Sequence, residues 1–266
     1  MKKLAWLTDI HLDFLDLEGI EDFAYKALRS DPDAFLIGGD ISIAPLLHTH
    51  LRILEHYWQR PIYFVLGNHD YYKASINKIR AELPDFVREY PHLKWLPQEG
   101  IVELSPTTAL IGHGLWADGR LGAAEKSKIL LNDYALIEEL THKGHRELFF
   151  LLNALGDRAV LEFEPTLRAA IKKYSHIYAL THTSPFAESA WHNHHISDPQ
   201  FLPHFSCHAA GEMIRSVMSQ HPDKMLTVLC GHTHGEGQVW ITDNIFVKTG
   251  GAQYRFPRVQ EILKID

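Results

Sequence analysis

Five short motifs carry the residues able to do chemistry: Asp9-Ile10-His11, Gly39-Asp40, Gly67-Asn68-His69-Asp70, Thr181-His182 and Gly231-His232-Thr233-His234. Their side chains offer carboxylate, imidazole and amide donors and no thiolate. That set suits a catalytic site for Mn, Fe, Zn, Co or Ni better than a structural cysteine-zinc site. Asp9 and His11 lie two residues apart, so both can reach one ion from a strand end or tight turn, and His232 and His234 repeat the spacing. Asp40 has two oxygens and is suited to bridging two ions. Asn68 is a neutral carbonyl donor that completes a shell without adding negative charge. Two ions ~3.5–4 Å apart activate water and stabilise both the attacking and leaving oxygens of an in-line displacement at phosphorus.

Such residues must be brought together by the elements that precede them. Leu4-Ala5-Trp6-Leu7, Ala34-Phe35-Leu36-Ile37, Ile62-Tyr63-Phe64-Val65-Leu66, Ile177-Tyr178-Ala179-Leu180 and Leu226-Thr227-Val228-Leu229 are continuous apolar runs of the kind expected for strands buried on both faces. Each ends at one of the motifs. In an open α/β sheet, ligands gather in the crevice outside the carboxyl ends of the strands, so five such ends converge on one place. Between them, residues 19–30, 46–58, 73–89, 123–140 and 164–174 show helical apolar spacing. The fold class expected is α/β. Further short strands are read at 238–241, 245–248 and 259–263, where they form much of a second sheet.

The ordered motif set, spanning residues 4 to about 256, closely resembles the calcineurin-like metallophosphoesterase superfamily. The resemblance implies a four-layer sandwich of two mixed β-sheets flanked by helices, with the metals at one rim. It also implies that Asp9, His11, Asp40 and His234 hold one metal, and that Asp40, Asn68, His182 and His232 hold the other. His69 matches the histidine of the Gly-Asn-His motif that contacts the phosphate or protonates the leaving group, a sensible role where an alkoxide departs. The implied activity is phosphoester hydrolysis by in-line attack of a metal-bridging hydroxide, with two divalent or trivalent transition-metal ions as cofactors. Phosphodiesters are the favoured substrates; a phosphomonoesterase or nuclease on the same site is the alternative, and a non-catalytic scaffold on the same fold is the alternative of another class.

Departures narrow the branch. Asp40 is followed by Ile41-Ser42-Ile43-Ala44, without the Asp-Arg-Gly of phosphoprotein phosphatases. Position 43 is isoleucine where purple acid phosphatases place a tyrosine ligand, and the Gly-Asp-Leu-Thr-Asp of many cyclic-nucleotide phosphodiesterases is missing. Gly67 to Tyr72, Gly114 to Asp118 and Leu131 to Tyr134 are most similar to bacterial members with no fixed substrate.

At 266 residues, the chain is read as a single domain, 1–266. A net charge of −7 argues against a nucleic-acid partner, leaving a small-molecule phosphate ester as the expected one. The apolar run after Met1-Lys2-Lys3 ends at Asp9, too soon for a signal peptide, and no run approaches the ~20 apolar residues of a membrane helix. Cys207 and Cys230 do not suggest a disulfide framework, and a cytoplasmic setting is expected. Several further residues have two readings each. His113 closes the run 108–112 and is either a substrate contact or a strand-end histidine. Arg120 either clamps a phosphate oxygen or faces solvent. Asp70 either orients His69 or a metal ligand or forms a turn, and Asp13 is expected as a first-turn or surface carboxylate. Asn132 and Asp133 read as a helix-surface pair. The histidine-rich segment 192–208 is a lid, a weak metal site or a polar loop, with Trp191 and Phe201 giving it apolar surface.

Overall fold

The computed structural model describes residues 1–266. In chain order the main elements are β1 (Lys2–Leu7), α1 (Leu17–Leu28), β2 (Ala34–Gly38), α2 (Ala44–Trp58), β3 (Ile62–Val65), α3 (Ile76–Arg88), β4 (Leu93–Trp95), α4 (Leu96–Glu99), β5 (Val102–Ser105) and β6 (Thr108–His113). They continue with α5 (Asp133–Leu136), α6 (His145–Lys173), β7 (His176–Thr181), β8 (Trp191–His192), β9 (His195–Ile196), α7 (Leu202–Phe205), α8 (His208–Ser219), β10 (Met225–Cys230), β11 (Gly237–Thr242), β12 (Ile245–Thr249) and β13 (Glu261–Ile265).

Two large mixed sheets result. One has the order β13-β1-β2-β3-β4 and the other β11-β12-β10-β7-β6-β5, with β8 and β9 forming a separate hairpin. All neighbours are parallel except the pairs β1/β13, β11/β12 and β5/β6. The layering follows from the two-residue period of a strand. Ala5, Leu7, Phe35, Ile37, Ile62 and Phe64 point outward into a core shared with α1, α2 and α3. Their alternates Leu4, Trp6, Leu36 and Val65 point inward and meet Leu110, Leu180 and Leu229 of the second sheet. Ile111, Ile177, Ala179, Leu226 and Val228 face the opposite way, against α6 and α8. Helix, sheet, sheet, helix is the four-layer order expected. No helix is long and apolar enough to cross a membrane.

Two helical expectations need correction. Residues 123–140 are not one helix: only a short 3-10 turn and α5 are helical there. The backbone is bonded elsewhere: the Ile129 N–H donates to Ser127 Oγ at 3.2 Å, the Ala123 N–H to the Pro199 carbonyl at 2.6 Å and the Glu138 N–H to the Ala74 carbonyl at 3.1 Å, while Asp133 is buried. Conversely, the helix expected at 164–174 begins at His145 and runs through Pro165. Its buried face, Leu148, Leu152, Gly156, Ala159, Phe163, Leu167 and Ala170, keeps steps of three and four throughout. Packing of that face offsets the hydrogen bond lost at proline.

Candidate metal centre

Strands β1, β2, β3, β7 and β10 are neighbours within their sheets, and their carboxyl ends deliver the five motifs to one rim. The local backbone there is unusual. Asp9, His11, Asp40, His232 and His234 all have positive φ, between 40° and 70°, although none is glycine. Such conformations cost of order 1–3 kcal/mol each and persist where surrounding structure imposes them. Glycine is required beside them: a Cβ at Gly67 would lie 2.2 Å from Asp40 Oδ1, and one at Gly231 would lie 1.9 Å from Asp9 Oδ2.

The donors of Asp9, His11, Asp40 and His234 lie within 4.8 Å of one another. His11 Nε2 stands 3.0 Å from His234 Nε2 and 3.8 Å from Asp40 Oδ2, and His234 Nε2 is 3.5 Å from Asp9 Oδ1. A second set forms on the other oxygen of Asp40. His182 Nε2 is 3.3 Å from Asp40 Oδ1, 2.9 Å from Asn68 Oδ1 and 3.2 Å from His232 Nδ1, while Asn68 Oδ1 and His232 Nδ1 are 2.9 Å apart. Asp40 thus presents Oδ2 to one set and Oδ1 to the other.

The orientation of each group in the second set is fixed from behind. His182 Nδ1 donates to the Gly38 carbonyl at 2.9 Å, and His232 Nε2 donates to the His204 carbonyl at 2.8 Å. Each ring therefore turns a lone pair toward the cluster. Asn68 Nδ2 donates to Asp133 Oδ1 at 2.8 Å, which leaves its carbonyl oxygen facing inward. In the first set, Asp9 accepts from Thr8 Oγ1 at 2.6 Å and from the His232 backbone N–H.

Electrostatics make this a cation site. Burial, with the neighbouring His69 and His234 rings, holds His11 far below the usual histidine range; burial also lowers His234, and pushes His182 down to about 3. These rings are neutral donors. Burial and the nearby carboxylates of Asp9 and Asp70 raise Asp40 well above the usual carboxylate range. Converging lone pairs and crowded carboxylates repel one another, and a pair of metal cations would turn that repulsion into coordination.

The description "Calcineurin-like phosphoesterase" matches residues 2–236. The chain belongs to the calcineurin-like phosphoesterases. No curated protein sequence matches it. Among solved structures, it is similar to a phosphopantetheinyl hydrolase from Mycobacterium tuberculosis, at 13% identity and TM-score 0.65, over 95% of this chain and 90% of that one. A dimetal phosphatase from Danio rerio shares 13% identity at TM-score 0.58, over 96% and 89%. The protein TT1561 of Thermus thermophilus shares 18% identity at TM-score 0.53, over 94% and 89%. At these identities the likeness concerns the fold. Family membership and the donor set make this calcineurin-like phosphoesterase a metal-dependent phosphoester hydrolase with two metal ions as cofactor.

The remaining site residues divide into those at the cluster and those elsewhere. His69 stands beside it: Nε2 is 3.9 Å from Asp40 Oδ2, the ring stacks on Tyr72 at 4.1 Å, and burial lowers its pKa to about 3. It lines an open cleft of about 200 Å³ together with Asp40, Asn68, Asp133, His192, Phe205, His232, His234 and Tyr254. His113 is not there. Its Nδ1 accepts from the Leu115 N–H at 2.9 Å and its Nε2 donates to Glu162 at 3.0 Å, in a separate cavity lined by Arg80, Arg158 and Trp95. A strand-end histidine pairs outward with α6 here because β6 lies beside that helix. Arg120 is likewise elsewhere, clamped by Asp118 at 3.1 Å and Asp157 at 2.8 Å, where it ties its loop to α6.

Asp70 combines its two expected roles, holding donor-bearing loops from behind and closing its own turn through Gly67. Its carboxylate accepts N–H bonds from Ile41, Ser42 and Gly67, at 3.0, 2.9 and 2.8 Å, and so laces the Asp40 loop to the Asn68 loop. Burial raises it to about 7 against the lowering effect of those three donors. Asp13 is only partly buried, with one carboxylate oxygen buried and unpartnered. The surface reading of Asp133 fails, since it is 5% exposed and bound to Asn68 and to Tyr72 Oη. The histidine-rich segment does several things. The His204 ring is fixed by Ser127 Oγ at 2.9 Å and Tyr134 Oη at 2.5 Å, and His192 Nδ1 reaches the Thr233 carbonyl at 3.1 Å. His195 is exposed, and His208 begins α8. Tyr254 was missed by sequence reasoning because it lies in no motif; only its position in the folded chain marks it.

Proposed function

We propose that the chain is a cytoplasmic, single-domain phosphodiesterase acting on a small-molecule phosphodiester, with Asp9, His11, Asp40 and His234 holding one ion and Asp40, Asn68, His182 and His232 the other. When bound, the pair supplies an activated water and positive charge for the transition state. The chain's own residues then have distinct tasks. Asp40 spans both positions, Asp70 keeps the two loops in register, and Asp133 turns the Asn68 carbonyl inward. His69 lines the cleft, where its neutral ring donates an N–H bond to a phosphoryl oxygen and becomes a proton donor to the departing alkoxide or phenoxide oxygen once the charge of a bound phosphate holds the imidazolium.

The observation that carries the diester reading is the composition of the cleft: no lysine or arginine lines it. A dianionic monoester needs more cationic partners than a monoanionic diester does. With Arg120 engaged by two aspartates, the metals and His69 face the phosphate without a fixed cationic side chain. The test compares bis(p-nitrophenyl) phosphate with p-nitrophenyl phosphate on the Mn-loaded protein. The diester should have the higher kcat/KM, and Arg120→Ala should leave that order unchanged. A clear monoester preference would refute the diester reading, cleavage of oligonucleotides above both would favour a nuclease, and no turnover of any ester would favour the scaffold.

A further inference from the structure

Next to the cluster, two aromatic rings are held in the open. Phe14 and Tyr254 are each 41% exposed, and their ring centroids are 4.5 Å apart with planes 36° from parallel. Scattered exposed apolar residues are ordinary, but a contiguous exposed pair at the edge of a site calls for an occupant. Both rings are fastened to ligand-bearing backbone. The Phe14 N–H donates to the carbonyl of His11 at 3.1 Å. Tyr254 lies in a turn tied down by the Ala252 N–H to the His234 carbonyl at 3.1 Å and by Phe256 N–H to the Gln253 carbonyl at 3.0 Å, followed by Arg255 at φ 71°. The Tyr254 ring rests 4.7 Å from that of His11, 5.0 Å from that of His234 and 6.3 Å from that of His69, and it lines the cleft. A rigid aromatic shelf therefore begins where the candidate ligands end.

We propose that the Phe14–Tyr254 shelf binds a flat aromatic or heteroaromatic ring carried by the phosphate ester, which makes the substrate class ring-bearing phosphodiesters. This rests on the phosphoesterase reading of the adjoining site. A ring offers a quadrupole face matched to stacking, which an alkyl arm of similar size does not, and the preorganised pair loses little entropy on contact. The cleft supplies no cation that would instead select a charged arm.

The test is equilibrium binding of phenylphosphonate and methylphosphonate to the metal-loaded full chain, measured by calorimetry, with ester turnover measured on the same samples. Phenylphosphonate should bind about tenfold more tightly, a difference equivalent to about 1.4 kcal/mol. In Phe14→Ala the ratio of the two affinities should fall to near one, and in Phe14→Trp it should be kept; the second variant separates loss of the ring from damage to the fold. In turnover, Phe14→Ala should raise KM for the p-nitrophenyl ester of thymidine 5′-phosphate with little change in kcat. Equal binding of the two phosphonates by the wild-type chain, while esters are still hydrolysed, would overturn the shelf alone. Failure of both phosphonates to bind and of every ester to turn over would sink the phosphoesterase reading and the shelf with it.

Discussion

Asp133→Ala should strike one metal position and spare the other. The Asp133 carboxylate is buried and accepts from Asn68 Nδ2 at 2.8 Å and Tyr72 Oη at 2.7 Å. Hydrogen bonds to a charged partner contribute about 1.5–3 kcal/mol each. The bond to Asn68 keeps the carbonyl oxygen turned toward His182 and His232, and the bond to Tyr72 holds the second, longer acceptor of the same amide, Oη at 3.4 Å from Asn68 Nδ2. Loss of Asp133 frees the amide to rotate, and removal of such an outer partner typically costs roughly 10–100-fold in metal affinity. Binding of Mn titrated against a competing chelator should therefore show one step weakened by about that factor, with the step of Asp9, His11, Asp40 and His234 retained. Asp133→Asn keeps an acceptor oxygen of the same shape and should lose less than its alanine counterpart. Two unchanged binding steps in Asp133→Ala, in a protein that still unfolds cooperatively, would refute the orienting role.

His69→Ala should keep both ions while turnover falls by roughly 10²–10⁴; loss of metal with activity would place His69 among the ligands instead. Asp40→Asn removes charge from the group shared by the two sets, so elemental analysis should find fewer than two ions per chain and no activity, and an active two-ion variant would contradict the bridge. Stripping metal should lower Tm, because each bound ion at roughly 100-fold over its Kd contributes about 2.7 kcal/mol; a chelator-independent Tm measured calorimetrically would argue that the cluster binds no ion in the folded chain.

The sequence by itself determined the strands, the order of the motifs and the candidate donors, because donor type and two-residue spacing are local properties and each motif sits at the end of an apolar run. The family resemblance implied the layers, and the structure shows their basis: along Leu4, Ala5, Trp6 and Leu7 every second side chain enters a different core. The long helix at 145–173 carries its apolar period throughout, though only its last part, 164–174, was read from the sequence. What tertiary structure decided was where polar side chains outside the motifs point. His113, Arg120 and Asp133 were each read from their neighbours in the chain, yet their partners Glu162, Asp157 and Asn68 lie 49, 37 and 65 residues away. A buried charge or imidazole goes where its hydrogen bonds can be met, and the candidates for that become adjacent only when distant segments pack. The same holds for Tyr254, near the C-terminal end, which reaches the metal centre because the turn that carries it is bonded to the carbonyl of His234. Nothing within a few residues of Tyr254 encodes that neighbour.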